Sequence, residues 1–312
     1  MVSIVMAVYN GEKYLQEQLD SIAKQTEEEW RLLIRDDGSM DRTEDIIIQF
    51  QQKVTQEIVF FRNEGIKKGA KYNFFALLDK VTQGYVMFCD QDDIWKPDKI
   101  KKTLAVMREA EEENGDKPVL VHSDLVVVDA NGQTLADSFF ASASLPKKAT
   151  INTLLVQNHV TGCTVMLNKP LVDHMKKLPE YCQDNSIMHD YWAALYAQVF
   201  GKIYFLDETT MLYRQHGNNS IGAKDSRSLS YLFQRLKEGK KDYEKKMEAS
   251  RIQVQSFCEY YKPFFESTQE FQLLEAYSML GQKSKFARCV FYIKNGVLKN
   301  GLIRKIMQLV WG

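Results

Sequence analysis

The alternation of strand-like and helix-like segments over the first hundred residues constrains this chain more than any other feature. Val2-Ser3-Ile4-Val5-Met6-Ala7-Val8-Tyr9 is a nearly continuous apolar run, the pattern of a parallel strand covered on both faces. Asn10-Gly11 breaks it, and Tyr14, Leu15, Leu19 and Ile22 then recur at helical spacing. Trp30 to Ile34, Ile58 to Phe61 and Tyr85 to Cys89 repeat the strand signal. Ile46, Ile47 and Phe50, and then Tyr72 to Val81, supply the intervening helices, the first of them capped by Ser39 or Asp41. Pro97 opens a further helix to about Glu113, where its missing N–H costs nothing. The order predicts an α/β fold with a doubly wound, mostly parallel central sheet. Ligands of such sheets bind at the carboxyl ends of the strands. Three polar clusters stand there and are expected to meet in one crevice: Tyr9-Asn10-Gly11, Asp36-Asp37-Gly38-Ser39 and Asp90-Gln91-Asp92-Asp93.

The rest of the chain reads differently. Val119 to His122 and Leu125 to Asp129 are expected as two strands, with a turn at Asp129-Ala130-Asn131-Gly132. Gly162 to Leu167, Ile203 to Leu206 and Thr210 to Tyr213 are three more, His189 to Val199 is a helix, and everything from Ser228 is helical. Overall charge is zero, with 41 basic and 41 acidic residues, but it is unevenly spread. From Arg227 to Gly312 sixteen Lys and Arg face eight acids, and no acid follows Glu275. The preceding 226 residues therefore carry a net charge of −8 against +8 for the tail. That split suggests two different jobs, one for an acidic domain over 1–226 and one for a basic helical C-terminal region over 227–312. Five scattered cysteines with no close pair argue against a disulfide framework or a zinc site and fit a reducing compartment. No basic-flanked leader opens the chain and no run reaches the length of a membrane span, so a soluble or surface-bound protein is expected.

Asp90 and Asp92, with Asp93 directly behind, crowd carboxylates at the mouth of a buried strand. Such groups repel one another unless a cation neutralises them, and hard oxygen ligands suit Mg²⁺ or Mn²⁺ bridged to substrate phosphates. The plainer alternative is that these acids, Asp93 above all, cap the helix near Pro97. Asp36-Asp37 alone would pass for an ordinary turn. Together, the two acidic strand ends are far more specific.

Val5-Met6-Ala7-Val8-Tyr9-Asn10-Gly11, Asp36-Asp37-Gly38-Ser39 and Asp90-Gln91-Asp92-Asp93-Ile94-Trp95 resemble the signature of the family 2 glycosyltransferases with the GT-A fold. The likeness is dense over residues 2–102 and looser to about 220. It implies that Asp37 hydrogen-bonds the pyrimidine base, that Tyr9 and Asn10 also line the nucleotide, that Asp90 lies near the ribose and that Asp92 holds the metal. It makes Asp190, in Ile187-Met188-His189-Asp190-Tyr191-Trp192, the candidate catalytic base, although the same residue could cap the helix beginning there. Tyr213-Arg214-Gln215-His216-Gly217-Asn218-Asn219 resembles a later motif that closes over the diphosphate, with Arg214 on the phosphates and His216 on the metal. Trp95, Gly162 and Cys163 fall along the wall facing donor sugar and acceptor, Cys163 as a small packing residue without thiolate character. His122, His159 and His174 are expected to be structural. One base and no enzyme nucleophile imply a single in-line displacement with inversion.

Asn63-x-Gly65, Asn73-Phe74, the Phe88–Trp95 segment and Tyr213-Arg214-Gln215-His216 look like the rhamnosyltransferase branch. That resemblance implies a dTDP-β-L-rhamnose donor, with a UDP-hexose or UDP-N-acetylhexosamine as the alternative. In the tail, Phe286, Val290, Ile293 and Val297, then Ile303, Ile306, Val310 and Trp311, share faces opposite basic side chains. The pattern reads as interfacial helices drawn to anionic lipid, or as helices docked on the donor domain or on a second subunit of a homodimer. The first reading fits a cytoplasmic enzyme on the inner face of a bacterial plasma membrane, acting on a polyprenyl-diphosphate-linked saccharide. Nucleic-acid binding has no supporting motif. A sugar nucleotidyltransferase would want a Gly-rich basic loop where Tyr9-Asn10-Gly11-Glu12 stands.

Overall fold

The computed structural model describes the backbone of residues 1–216 and 229–312 and the side chains of residues 1–216 and 240–312. The Gly217-Asn218-Asn219 end of the late motif and the boundary expected after residue 226 lie outside the described residues. The first elements are β1 (Val2–Val8), α1 (Leu15–Ala23), β2 (Trp30–Asp36), α2 (Thr43–Gln51), β3 (Ile58–Arg62) and α3 (Ala70–Lys80). There follow β4 (Tyr85–Cys89), β5 (Ile94–Trp95), α4 (Lys99–Asn114), β6 (Val119–Val128), β7 (Thr134–Ala136), α5 (Phe139–Ala143) and α6 (Ile151–Val156). Next come β8 (Met166–Leu167), α7 (Lys169–Met175), α8 (Glu180–Asn185), α9 (His189–Phe200) and β9 (Lys202–Arg214). The chain closes with α10 (Leu229–Phe265), α11 (Gln269–Ser278), α12 (Lys285–Lys294) and α13 (Leu302–Trp311). These elements form two units. One comprises Met1–Phe139, Thr161–Lys177 and Phe200–Ala223; the other Phe140–Val160, Leu178–Val199 and Lys224–Gly312.

The first unit holds the sheet, whose strands run in the order β3-β2-β1-β4-β8-β6-β9-β5, with β7 on β6. β1 to β4 are mutually parallel; Val8 stands opposite Asp36 and Met6 opposite Cys89, which brings the strand ends nearly level. The chain runs outward from β1 to β3 and then returns to lay β4 on the other side of β1. The winding therefore switches between β1 and β4, where an open α/β sheet leaves its crevice. Beyond β4 the sheet is mixed, with β8 antiparallel to β4 and β6, and β6 parallel to β9. Leu15, Leu19 and Ile22 of α1 are fully buried against this sheet. Each such side chain contributes about 1.5–3 kcal/mol on burial.

Two pairs of expected strands are single strands. Val119–Val128 is one strand because Ser123 and Asp124, polar enough to suggest a turn, are buried with hydrogen-bond partners, while the His122 ring is buried 5.1 Å from the Phe205 ring. The Ser123 and Thr210 hydroxyls bond at 2.7 Å, and Asp124 Oδ1 accepts the Leu125 amide at 2.8 Å. Bulges between Ser123 and Val126 absorb the mismatch with β9, which is likewise continuous. Asp129 to Gly132 forms the turn expected, Asp129 Oδ1 accepting the amides of Asn131 and Gln133. Gly162 to Thr164 is a short 3₁₀ turn leading into β8 rather than part of a strand.

The second unit is helical. Trp192 of α9 is wholly buried against Phe257 and Tyr261 of α10, and the Ser250 and Tyr277 hydroxyls both donate to the Leu155 carbonyl. Thr268 and Ser284 cap α11 and α12, accepting the Phe271 and Ala287 amides. Cys289 and Lys285 of α12 donate to the Leu309 and Val310 carbonyls of α13. Of the tail residues expected to share an unburied face, Val297 is fully buried, whereas Phe286, Val290, Ile293, Ile306 and Val310 are exposed and Leu302 joins them. Among the described residues no helix is long and apolar enough to cross a membrane.

Candidate active site

Three loops leave the carboxyl ends of β1, β2 and β4, and backbone-to-side-chain bonds knit them together. Asn10, at φ 46°, donates its amide to Ser39 Oγ at 2.8 Å and accepts the Met40 amide at its side chain. The Gly11 amide donates to Thr43 Oγ1 at 2.7 Å. Across the switch point Gln91 clasps the end of β1, its Oε1 accepting the Tyr9 amide at 2.8 Å and its Nε2 donating to the Tyr9 carbonyl at 3.0 Å. A Cβ on Gly11 would come within 2.6 Å of Gln91 Oε1, so the clasp needs glycine there.

Asp36 and Asp37 do different things. The Asp36 carboxylate accepts the Ser39 amide at 3.0 Å and stiffens the turn. Asp37 is 7% exposed, and both of its oxygens are held: Oδ1 by Asn63 Nδ2 and Oδ2 by the Gly69 amide, each at 2.6 Å. Arg35 in turn donates to the side-chain oxygens of Asn63 and Asn73. Asn63 follows β3, level with Asp37 after β2, so the register of the parallel strands builds this network.

The acids after β4 are graded by depth. Asp90 and Asp92 are both partly buried, the Asp92 side chain 16% exposed, and Asp93 is fully buried. Asp93 Oδ1 accepts the Arg214 amide at 3.1 Å, so this residue ties β9 to the site and does not cap α4, whose first residue is Lys99. Burial, then Asp90 and Asp92, push the Asp93 carboxyl well above the ordinary carboxylate range. Asp90, Asp93 and Cys163 each bring a ligand atom to within 4.8 Å of one another. Beneath them lies Lys99, fully buried, donating to the Cys163 carbonyl at 2.9 Å and to Thr210 Oγ1 at 3.2 Å. Burial lowers its ammonium to about 8, against the pull of Cys163, Cys89 and Asp93. Burial raises the Cys163 thiol, as a packing residue requires.

Just beyond β9, His216 Nε2 pairs with Asp92 Oδ2 at 2.8 Å, and its ring stacks on Tyr14. Arg214 is buried: its guanidinium reaches the carbonyls of Asp92 and Ala130 and the Glu17 carboxylate, and it lies over the Tyr14 ring. It is built in as a brace under the Asp92 loop rather than as an open phosphate clamp. Trp95, expected on the wall of the site, is 2% exposed in the apolar core with Lys99 Nζ 4.8 Å over its ring. Gly162 is half-buried and Cys163 is in the core beside Asp93. Asp190 belongs to the second unit, in the first turn of α9, 8% exposed, with Oδ1 accepting the Tyr191 amide at 2.6 Å.

The residues suit a hard divalent cation. Adjacent ligands on a six-coordinate ion with bonds of about 2.1 Å lie about 3 Å apart, which is close to the spacing of Asp92 Oδ2 and His216 Nε2. The crowded carboxylates behind them add the negative charge such an ion relieves.

Sequence reading passes over Gln91, Asn63 as the Asp37 partner, Glu17 and Lys99. Only Lys99 leaves a trace: with Thr103 and Met107 it recurs every fourth residue on the buried face of α4, an apolar position for a lysine.

Known proteins resemble the chain in sequence and in fold. The chain is 30% identical over 237 residues to the dTDP-rhamnosyl transferase RfbG of Shigella flexneri, covering 72% of this chain and 76% of that one. It is 30% identical over 175 residues to the Escherichia coli UDP-Glc:alpha-D-GlcNAc-diphosphoundecaprenol beta-1,3-glucosyltransferase WfgD, covering 55% and 62%. The crystal structure of S. aureus TarS 1-349 in complex with UDP-GlcNAc superposes with a TM-score of 0.57 at 17% identity, covering 95% of this chain and 87% of that one, which shows the GT-A fold. The family model described as Glycosyl transferase family 2 matches residues 3–172, and the chain belongs to that family.

Proposed function

We propose that this glycosyltransferase moves L-rhamnose from dTDP-β-L-rhamnose onto a hydroxyl of a lipid-linked saccharide, with inversion at the anomeric carbon. The observation that carries the reading is Asp37. Its carboxylate is oriented by Asn63 and Gly69 at one strand end, with Asp90 and Asp92 after β4 across the switch point. A fixed carboxylate suits the N3–H of a pyrimidine base, and the Tyr9 and Asn10 loop borders the same crevice. Asp90 takes the ribose, and Asp92 with His216 holds Mn²⁺ or Mg²⁺. Such an ion supplies charge neutralisation for a departing diphosphate. Asp190 accepts the proton of the acceptor hydroxyl as that oxygen bonds to the anomeric carbon and the bond to the diphosphate breaks. Arg214 positions the Asp92 loop through its three-way brace, and Gly162 borders the acceptor.

The rhamnosyl assignment draws on the likeness to RfbG. The likeness to WfgD supports a UDP-hexose as the second reading, and its named acceptor is of the polyprenyl-diphosphate type expected here. Six exposed apolar side chains on α12 and α13, in a stretch with no acid after Glu275, support attachment to the inner face of the plasma membrane.

Nucleoside diphosphate release from dTDP-L-rhamnose, UDP-glucose, UDP-galactose and UDP-N-acetylglucosamine, each with Mn²⁺ or Mg²⁺, tests the reading. Release from dTDP-rhamnose alone, stopped by EDTA, is expected. Release from a UDP-sugar alone replaces the donor, and release that survives EDTA removes the metal.

A further inference from the structure

The helical unit contains a cavity of about 350 Å³ between α10, α12 and α13, outside the donor crevice. Tyr243, Met247 and Arg251 present one face of α10 to it at a spacing of four; Arg288 and Tyr292 do the same from α12, and Trp311 closes it from α13. Its polar groups are poorly satisfied by the protein. Tyr243 is 6% exposed and Tyr292 fully buried; the Tyr243 hydroxyl and the buried Arg288 Nε have no hydrogen-bond partner among the described residues, and the Tyr292 hydroxyl meets only Arg251. A buried polar group without a partner costs about 1–3 kcal/mol, so two around one cavity require an explanation.

Arg251 gives two bonds to Glu248, which leaves its remaining donors to the cavity side, and Arg288 Nη2 reaches the Gly312 carbonyl at 3.3 Å. Burial raises the Tyr243 and Tyr292 phenols while Arg251 and Arg288 pull both down, which places the two guanidiniums beside the two hydroxyls. Four donor groups thus converge from two helices. A carboxylate offers two oxygens to such a ring and a phosphoryl group three; Glu244 and Glu248 also line the cavity, and with Arg251 paired to Glu248 it is Arg288 that brings the unmatched positive charge. Tyr243 and Trp311, packed edge to face, and Met247 supply apolar walls for whatever bears the anion.

We propose that this cavity is a second ligand site, taking a phosphoryl anion between Tyr243, Arg251, Arg288 and Tyr292. The anion is either a lipid headgroup phosphate or the phosphate of a soluble molecule. The site is distinct from the donor crevice and does not depend on which sugar is transferred.

The test titrates the full chain with inorganic phosphate by calorimetry, for the wild type, Tyr243→Phe, Arg288→Gln and Asp92→Ala. Saturable binding is expected in the wild type and in Asp92→Ala, at least tenfold weaker in Tyr243→Phe and Arg288→Gln. Tyr243→Phe removes an unpartnered hydroxyl, so its melting temperature should hold or rise, separating lost binding from lost fold. Binding that falls in Asp92→Ala and not in Arg288→Gln assigns the anion to the donor crevice and overturns the proposal, as does no saturable binding. Co-sedimentation with phosphatidylglycerol and phosphatidylcholine vesicles then fixes the source. A selective loss of phosphatidylglycerol binding in Arg288→Gln identifies the headgroup; phosphate binding without that loss identifies a soluble ligand.

Discussion

Asp92 and Asp93 are neighbours in sequence with opposite fates. Asp93 is buried and spends one oxygen on the Arg214 amide; Asp92 faces His216 at the surface of the crevice. Replacing the outer one should therefore leave the fold intact. Asp92→Ala is expected to abolish the metal dependence of donor binding, measured by titrating nucleoside diphosphate with and without Mn²⁺; unchanged metal dependence would remove Asp92 as a ligand. Asp190→Asn keeps the shape of the side chain and its bond from the Tyr191 amide but cannot take a proton. Turnover should fall by about 10²–10⁴ with donor affinity retained. Parallel loss of affinity and turnover would instead mark Asp190 as a donor-binding or folding residue.

Elements carry the next two consequences. At the start of α9, burial drives His189 down to about 3. The unfolded chain takes up a proton at this position near pH 6.5, whereas the folded chain resists it, so the native state weakens as pH falls between those values. Urea unfolding of wild type and His189→Gln across that range should show a shallower loss in the variant, by roughly 1 kcal/mol per pH unit. Identical slopes would mean that other groups dominate. On α12, Phe286 and Ile293 are 80% and 62% exposed. If they enter lipid, each is worth about 1.5–3 kcal/mol. The double substitution Phe286→Glu with Ile293→Glu should thus abolish co-sedimentation with anionic vesicles while leaving donor hydrolysis unchanged. Vesicle binding that persists, with a dimer converted to monomer in sedimentation, would assign the face to a second copy of the chain.

At the scale of the molecule, β1 to β4 and the helices between them are legible because each strand is a mostly apolar run, well buried in β1, β2 and β4 and half-buried in the edge strand β3, that ends in a residue that breaks it. The same logic fails for β6 and β9, where buried polar residues find partners across a bulge and the strand continues through what reads as a turn. Asp36, Asp37, Asp90 and Asp92 are conspicuous in sequence because two acidic clusters each follow a strand of the same sheet, although Asp36 itself only stiffens its turn. Lys99 and Gln91 are not, because their roles are defined by what stands opposite them in space. Trp95 misleads for the reverse reason, an aromatic beside the acids that the sheet folds into its core. The charge division also belongs to this scale. A tail of +8 follows a body of −8 in sequence; under the proposed membrane attachment the tail would carry the attraction to anionic surfaces, each Lys or Arg near such a surface being worth about 1 kcal/mol. Vesicle binding should weaken steadily as ionic strength shortens the Debye length, whereas donor binding in the crevice should change much less. Equal sensitivity of both would indicate that the tail plays no special part.

The paired faces of α12 and α13 bear on how such an enzyme experiences concentration. If Phe286, Val290, Ile293, Leu302, Ile306 and Val310 are seated in lipid, as proposed, the enzyme would search a plane rather than a volume for its acceptor. The number that governs its encounters becomes the acceptor's mole fraction among the surrounding lipids. Adding inert lipid would slow it and concentrating the whole suspension would not, so its rate would be set by the crowding of a surface while its donor continued to arrive from solution.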